Sequence, residues 1–180
     1  MGERYADIVA EGRPTEPPKL EAKGIKTFLG SEGHGFNATL WVNGRKAATV
    51  IDSADGGTYR WHWTDKFAEK IFEAYVGTLP EEVHYWEPTP INGPKPEPTA
   101  TNSFTFKPDA DSVMGKLVDD ALNARRFARL MKTKTVFRLK SDKDGDWRTL
   151  NGGPYSPAAR AWLEKKYGDD LGEIMNERKS

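Results

Sequence analysis

Residues 35–52 have the sequence GFNATLWVNGRKAATVID, and this stretch decides the fold. From Phe36 to Val42, apolar and polar side chains alternate with the two-residue period of a β-strand. Asn43-Gly44 then supplies two residues that tolerate positive φ, as a type I′ hairpin turn requires. A β-branched run predicts that Arg45–Ile51 returns as the second strand. The sequence therefore predicts an antiparallel hairpin with a defined register.

Flanking segments extend this hairpin. Ile25–Leu29 predicts an earlier strand, and the turn signal at residues 55–57 precedes a later one. Tyr59, Trp61 and Trp63 share one face of that last strand, and helices are the simplest cover for such a face. The predicted fold class is therefore α+β: an antiparallel four-stranded meander packed on a helix, followed by a helix–hairpin–helix back half.

Composition shifts divide the chain further. Three prolines and many charges mark the amino-terminal end, and seven prolines between residues 78 and 109 exclude a long helix or a central strand there. The expected segments are an extended arm at 1–23, the meander plus helix at 24–77, a proline-rich connection at 78–109, and a helix–hairpin–helix lobe at 110–180 that forms one compact domain with 24–77.

Capping residues and periodicity place the elements inside these segments. Thr64 is the expected N-cap of the first helix, and Asp109 or Asp111 that of the second, which runs to about Lys132. Ser156-Pro157 begins a third helix that Gly168 breaks. The remaining expected elements are two short edge strands at 82–87 and 103–107, a hairpin formed by 135–140 and 146–150, and a last amphipathic piece over 171–175.

The composition excludes several classes of function. The 180 residues carry 27 basic and 27 acidic side chains, so net charge favours no partner. With no cysteine, the chain has no disulfide, thiol catalysis or thiolate metal site. We see no secretory signal and no apolar run long enough for a bilayer, so we expect a cytoplasmic protein with no membrane partner.

Two short motifs carry a possible site. The loop Gly30–Gly35 holds Glu32, Gly33, His34 and Gly35 and could approach a small ligand, as a binder or an enzyme would, although a flexible hairpin loop explains it too. The run Asp142–Asp146 begins like a calcium loop. Trp147 and Gly153 stand where such a loop needs Gly and Glu, and an Asp-Gly hairpin turn explains the same residues. We predict no metal, no cofactor and no catalytic residue.

The strongest electrostatic feature is the segment 125–148, with nine basic and three acidic residues. Such a run marks a surface for nucleic acid or another anionic partner, and Trp147 could add stacking. The alternative is a solvated helix face that pairs with the acidic front half. The candidate residues are Arg125, Arg126, Arg129, Lys132, Lys134, Arg138, Lys140 and Arg148.

Several short blocks carry a resemblance: 25–28, Gly30, Glu32-Gly33, 35–38, 43–46 and 50–52 in the front half, and 137–139, 147–149, 155–157 and 166–169 in the back half. With these blocks the chain resembles small uncharacterised proteins of tailed bacteriophages and prophages. The resemblance implies a phage or prophage origin and a host-cytoplasm setting, with no activity or site residue to transfer.

Three functions follow as hypotheses. The first is a non-enzymatic, phage-encoded interaction protein that binds a host or phage macromolecule, most simply a protein, and counteracts host defence. The second is a nucleic-acid-binding accessory protein that uses the basic segment. The third is a small-ligand binder or enzyme that uses the Gly30–Gly35 loop. The oligomeric state is left open.

Overall fold

The computed structural model describes residues 16–85, 103–143 and 145–179. The chain forms two compact units, of which unit 1 ends at Asp119 and unit 2 begins at Asp120. The described elements are β1 (Leu20–Gly30), β2 (Gly33–Val42), β3 (Arg45–Asp52), β4 (Arg60–Trp63), α1 (Lys66–Thr78), β5 (Glu82–Tyr85), β6 (Ser103–Phe106), α2 (Ala110–Leu130), β7 (Thr135–Leu139), β8 (Arg148–Leu150), α3 (Pro157–Tyr167) and β9 (Leu171–Ile174), with short 3-10 helices at Gly168–Asp170 and Met175–Lys179.

Unit 1 contains the predicted antiparallel meander, in the order β1-β2-β3-β4, and the α+β class is confirmed. Asn43 and Gly44 have φ values of 50° and 78°, so both central turn residues are left-handed, as a type I′ turn requires. The apolar alternation of β2 is also confirmed. Its buried members are Phe36, Ala38, Leu40 and Val42.

The first strand is longer than predicted. β1 begins at Leu20 and not at Ile25, so its first residues lie where we expected the extended arm. The register against β2 shifts between Lys23 and Lys26, and Gly24 has a φ of 64°. A bulge of this kind breaks the two-residue alternation, which hid the first half of the strand from the sequence pattern.

Helix α1 covers the aromatic face of the meander, as predicted. The Phe72 ring is fully buried and its centroid lies 5.4 Å from that of Trp61 and 5.8 Å from that of Trp63. The predicted N-cap, Thr64, is wrong. The Asp65 carboxylate accepts the backbone N–H groups of the first turn, while the Thr64 hydroxyl donates to the Ala47 carbonyl.

The short strands after α1 form a separate two-stranded hairpin. β5 pairs with β6 in antiparallel register, from Glu82 opposite Phe106 to Tyr85 opposite Ser103. Both predicted edge strands are therefore confirmed within the described residues. The arm up to residue 15 and the proline-rich stretch 86–102 lie outside the described residues.

Helix α2 begins in unit 1 at Ala110. The Asp109 carboxylate accepts the N–H and the hydroxyl of Ser112, which satisfies a donor of the first turn. Asp111 lies inside the helix and accepts the backbone N–H of Tyr59 at 2.8 Å and the indole N–H of Trp61 at 2.7 Å. Asp109 is therefore the residue that caps the helix, and Asp111 ties the helix to the meander.

Unit 2 is built around a three-stranded sheet in the order β8-β7-β9. Its core contains Phe137, Leu139, Leu163 and Ile174. Ser156 caps α3 and Gly168 ends it with a φ of 53°, both as predicted. The amphipathic piece predicted after Gly168 is wrong, because residues 171–174 form β9 and pair with β7.

Candidate functional site

All eight candidate basic residues lie in unit 2. From Asp120 onward the chain carries fourteen basic and nine acidic residues, whereas residues 1–119 carry thirteen basic and eighteen acidic ones. The two units therefore have opposite net charge, of five units each. Lys134 and Arg138 are partly buried, and the exposed candidates are Arg125, Arg126, Arg129, Lys132, Lys140 and Arg148.

The end of α2 presents an exposed run of arginines. Arg129 lies three residues after Arg126 and four after Arg125, spacings that place side chains about 5–6 Å apart on a helix surface. The residues that α2 buries, Met114 and Val118, both lie in its first half. Arg126 and Arg129 form no ion pair with the described residues of unit 2. Their charges are therefore available to a partner.

An asparagine from the end of the chain holds the connection between α2 and β7. The Asn176 side-chain amide donates to the carbonyls of Met131 and Lys134, and its oxygen accepts the Val136 N–H at 2.8 Å. This connection carries Lys132 and Lys134. These three hydrogen bonds, which we call the Asn176 clamp, therefore fix the backbone position of both lysines.

Arg148 is paired inside the unit. Its guanidinium makes three hydrogen bonds to the Asp142 carboxylate, at 2.6, 2.9 and 3.1 Å, and that carboxylate also accepts the Leu139 N–H. The hydrogen bonds from Arg148 lower the pKa of Asp142 to about 2. Arg148 therefore stabilises the β7–β8 connection more than it serves a partner.

The same pair accounts for the calcium-like run. Asp142 is held by a guanidinium, and the connection from the end of β7 to Arg148 is longer than the tight Asp-Gly turn that the sequence suggested. Asp144 lies outside the described residues. Among the residues that the structure describes, no group of three histidine, aspartate or glutamate side chains is arranged to hold a metal.

Trp147 joins the helix to the sheet. The guanidinium carbons of Arg138 and Arg178 each lie 5.5 Å from the centroid of the indole, within the range of a cation–π contact. Phe127 of α2 meets the same ring edge-on, with the centroids 6.0 Å apart. The Trp147 ring therefore contacts both Arg138 in β7 and Phe127 near the end of α2.

Both arginines beside Trp147 also approach one carboxylate. Arg178 binds Glu173 through two hydrogen bonds, and the Arg138 Nε lies 3.6 Å from Glu173 Oε2. The Arg178 hydrogen bonds lower the pKa of Glu173 below its usual range. Glu173 therefore holds two guanidinium groups on the same side of the sheet edge strand β9 as its own carboxylate.

Sequence reasoning missed three of these residues: Glu173, Asn176 and Arg178. They lie about 30 to 45 residues from the groups of the basic segment that they contact, and no local pattern links the end of the chain to that segment. Residues 171–176, Leu-Gly-Glu-Ile-Met-Asn, show no apolar–polar alternation that would have marked a strand.

The glycine-rich loop of unit 1 forms the turn between β1 and β2. The Glu32 N–H donates to the Ala54 carbonyl at 2.9 Å, and a Cβ on Gly35 would lie 2.4 Å from the Asp52 carbonyl oxygen. The glycines thus allow this turn to approach residues 52–56 closely. The side chains of Glu32 and His34 are exposed.

Unit 1 contains a shallow cleft whose charged lining is mostly acidic. Asp109, Asp111 and Asp119 line it beside Tyr59 and Lys116. Burial, together with these carboxylates and Asp52, raises the pKa of Tyr59. Since Asp109 and Asp111 are engaged by hydrogen bonds that hold α2, this cleft has a structural explanation.

No protein family, curated protein sequence or solved structure matches this chain. The resemblance to bacteriophage proteins and the origin that it implies therefore stay predictions. Within the described part of the chain, no helix has the length and apolar character needed to cross a membrane.

Proposed function

We propose that this protein is a non-enzymatic binding protein whose unit 2 binds the phosphate backbone of a nucleic acid. One observation carries the proposal. Two carboxylates of unit 2, Asp142 and Glu173, are paired with three of its arginines, Arg148, Arg138 and Arg178. Four of the exposed candidate cations form no ion pair with the described residues of that unit. They are Arg126, Arg129, Lys132 and Lys140.

Unpaired surface cations suit a polyanion for a thermodynamic reason. Each phosphate that they neutralise releases condensed counterions, which favours binding and makes it depend on salt. Arg126 and Arg129 are rigidly spaced because both lie in α2, and the Asn176 clamp fixes the backbone next to Lys132. A nucleic acid would therefore meet cations that are already in position.

The test measures binding of labelled oligonucleotides by fluorescence anisotropy. We expect the wild type to bind and the double variant Arg126→Glu/Arg129→Glu to lose binding while it keeps its melting temperature. The matched control is Lys165→Glu/Lys166→Glu, which makes the same charge change on the exposed face of α3 in the same unit. The control should retain most of the affinity.

Failure of the wild type to bind single- or double-stranded oligonucleotides at low salt would contradict the proposal. Equal loss in both double variants would contradict the assigned surface, because net charge alone would then explain the binding. If reversal of Arg126 and Arg129 lowers stability and leaves nucleic-acid affinity unchanged, these arginines pair within the fold, as the alternative interpretation of the segment expects.

A second candidate is binding to a host or phage protein, with a role against host defence. It is favoured by large apolar side chains that unit 1 exposes: Leu29 is 76% exposed, and Val83 and Phe104 are each 56% exposed. Pull-down from host lysate with the wild type and with Leu29→Ser and Phe104→Ser variants tests it. One specific protein lost in a variant would support this candidate. The cytoplasmic setting remains part of the proposal.

A further inference from the structure

The meander of unit 1 has a second face, opposite the one that α1 covers, which we call the outer face. Side chains alternate along a strand, so the residues between the buried members of β2 and β3 lie on this face. Its central row crosses all four strands through Lys23, Thr39, Thr49 and His62. None of these four is buried, whereas Ala38, Leu40 and Val50 on the opposite face are. The outer face is therefore open to solvent.

The rows on either side of the central row complete the outer face. One contains Lys26, Asn37, Ile51 and Arg60, and the other contains Glu21, Trp41 and Lys46. The face thus combines an aromatic ring, short polar side chains and cations on one sheet. Single strands are bound by this combination, because bases stack on aromatic rings and phosphates pair with cations.

The charge of the outer face is opposite to that of its unit. Residues 1–119 carry five more acidic than basic side chains. Glu21 is the one carboxylate in the three rows, whose basic members are Lys23, Lys26, Lys46 and Arg60. A positive face on an acidic unit indicates an anionic partner for that face.

The cations of the outer face differ in how they are paired. Lys23 lies 3.3 Å from the Glu21 carboxylate, and Arg60 lies 3.9 Å from the Asp55 carboxylate. The other two cations are exposed and form no ion pair with the residues that the structure describes: Lys26 and Lys46. These two lysines can therefore pair with phosphates without breaking an ion pair.

Trp41 is the aromatic group of the outer face. The Lys23 ammonium lies 4.3 Å from the centroid of its ring. A cation–π contact at an exposed site is weaker than the stacking of a base on an aromatic ring, so a base can displace this ammonium. Glu21 also lies 3.6 Å from the Lys19 ammonium, so it keeps a partner when Lys23 turns to a phosphate.

We propose that the outer face of unit 1 binds single-stranded nucleic acid, with a base stacked on Trp41 and phosphates on Lys23, Lys26 and Lys46. This inference rests on the proposed function, since it names the form of nucleic acid that the protein prefers. A duplex keeps its bases stacked and paired inside the helix, so it offers none to Trp41. The ring therefore adds affinity for a single strand and not for a duplex.

Removal of the ring tests the stacking. Trp41→Ala should lower the affinity for a labelled oligothymidine about tenfold, the loss of one stacked base, and should leave the affinity for a duplex of the same length unchanged. Fluorescence anisotropy measures both. The matched control is Trp162→Ala, which removes an exposed tryptophan of unit 2 with the Lys166 ammonium 4.7 Å from its ring centroid. Equal effects of the two variants would contradict the proposal.

A strand without bases separates stacking from charge. An abasic oligonucleotide of the same length has the same phosphates, so the wild type and Trp41→Ala should bind it equally. The wild type should bind oligothymidine more tightly than the abasic strand. Equal affinity of the wild type for these two strands would contradict the contact between a base and Trp41.

The two lysines without ion pairs test the phosphate contacts. Lys26→Gln/Lys46→Gln should make the slope of log affinity against log salt about 1.4 shallower for a single strand, if each lysine contacts one phosphate. The control, Lys66→Gln/Lys70→Gln, makes the same charge change at exposed positions of α1 and should leave the slope unchanged. Because these exposed lysines contribute little to the core, this pair decides the question even if Trp41→Ala does not fold, which melting curves will show.

The same variants separate the outer face from the surface of unit 2. If Arg126→Glu/Arg129→Glu loses binding but Trp41→Ala and Lys26→Gln/Lys46→Gln behave like their controls, the outer face is wrong and the proposed function stands. If the variants of unit 1 weaken single-strand binding and the reversal of Arg126 and Arg129 changes nothing, the outer face stands and the surface of unit 2 is wrong. Wild-type protein that binds no strand would contradict both.

Discussion

The two units of this protein are stabilised in different ways. Unit 1 buries an apolar sheet face under α1, with Phe72 against stacked Trp61 and Trp63. Unit 2 has a smaller core and adds polar contacts to it, both between distant residues, as in the Asn176 clamp, and between nearby ones, as in the Asp142–Arg148 pair. A fold that depends on specific polar contacts at its surface also fixes the positions of its cations, which is what a binding surface needs.

The largest effect should come from the core of unit 1. Phe72→Ala removes a fully buried ring and leaves a cavity beside two tryptophans, so the free energy of unfolding of unit 1 should fall by about 3–5 kcal/mol. Denaturant titration with hydrogen exchange of the β2 and β3 amides measures it. Phe104→Ala, at a half-exposed position, should cost less than about 1 kcal/mol. Equal costs would show that the aromatic cover is not the main source of stability.

An intermediate effect is expected from the clamp in unit 2. Asn176→Ala removes three hydrogen bonds and leaves the Val136 N–H unsatisfied beside a buried side chain, which should cost about 2–3 kcal/mol. Hydrogen exchange at β7 is the measurement. Asn123→Ala, at an exposed position of α2, should change stability by less than about 0.5 kcal/mol. If Asn176→Ala leaves β7 exchange unchanged, unit 2 is stabilised mainly by its apolar core, as unit 1 is.

The smallest effect concerns pH. Because the folded-state pKa of Asp142 is lowered to about 2, the pair with Arg148 contributes stability above the ordinary carboxyl value of about 4. That contribution is lost as the pH falls from about 4 to about 2. The difference in melting temperature between wild type and Asp142→Asn should therefore shrink over this range. A difference that stays constant would contradict the ion pair, and Asp169→Asn, at an exposed position, serves as the control.

The contrast between the units explains what the sequence could predict. The β2–β3 hairpin is encoded locally, by alternation and by Asn43-Gly44, and its register follows from the turn. β9 was missed because β7, with which it pairs, lies more than 30 residues earlier, and because four residues are too few to show a period. Thr64 and Asp65 are both good N-cap residues, and the fold decides between them because it brings the Ala47 carbonyl to the Thr64 hydroxyl.

The candidate site divides in the same way. The charge of the segment 125–148 and its exposed helix end could be predicted, because both depend on neighbouring residues. The pairing of Arg148 with Asp142 and the approach of Glu173 and Arg178 to Arg138 could not, since they depend on how β7, β8 and β9 are ordered in the sheet. The number of charged residues could thus be read from the sequence, whereas the ion pairs among them could be found only from the fold.

The salt dependence of binding tests the central claim most directly. If Arg126 and Arg129 each contact one phosphate, the variant Arg126→Gln/Arg129→Gln should bind duplex DNA with a log–log salt slope about 1.8 shallower than the wild type, or about 1.4 for a single strand. Affinity should fall most at low salt. An unchanged slope, or wild-type binding that does not respond to salt, would contradict the account, because the arginines of α2 would then make no contact with a phosphate backbone.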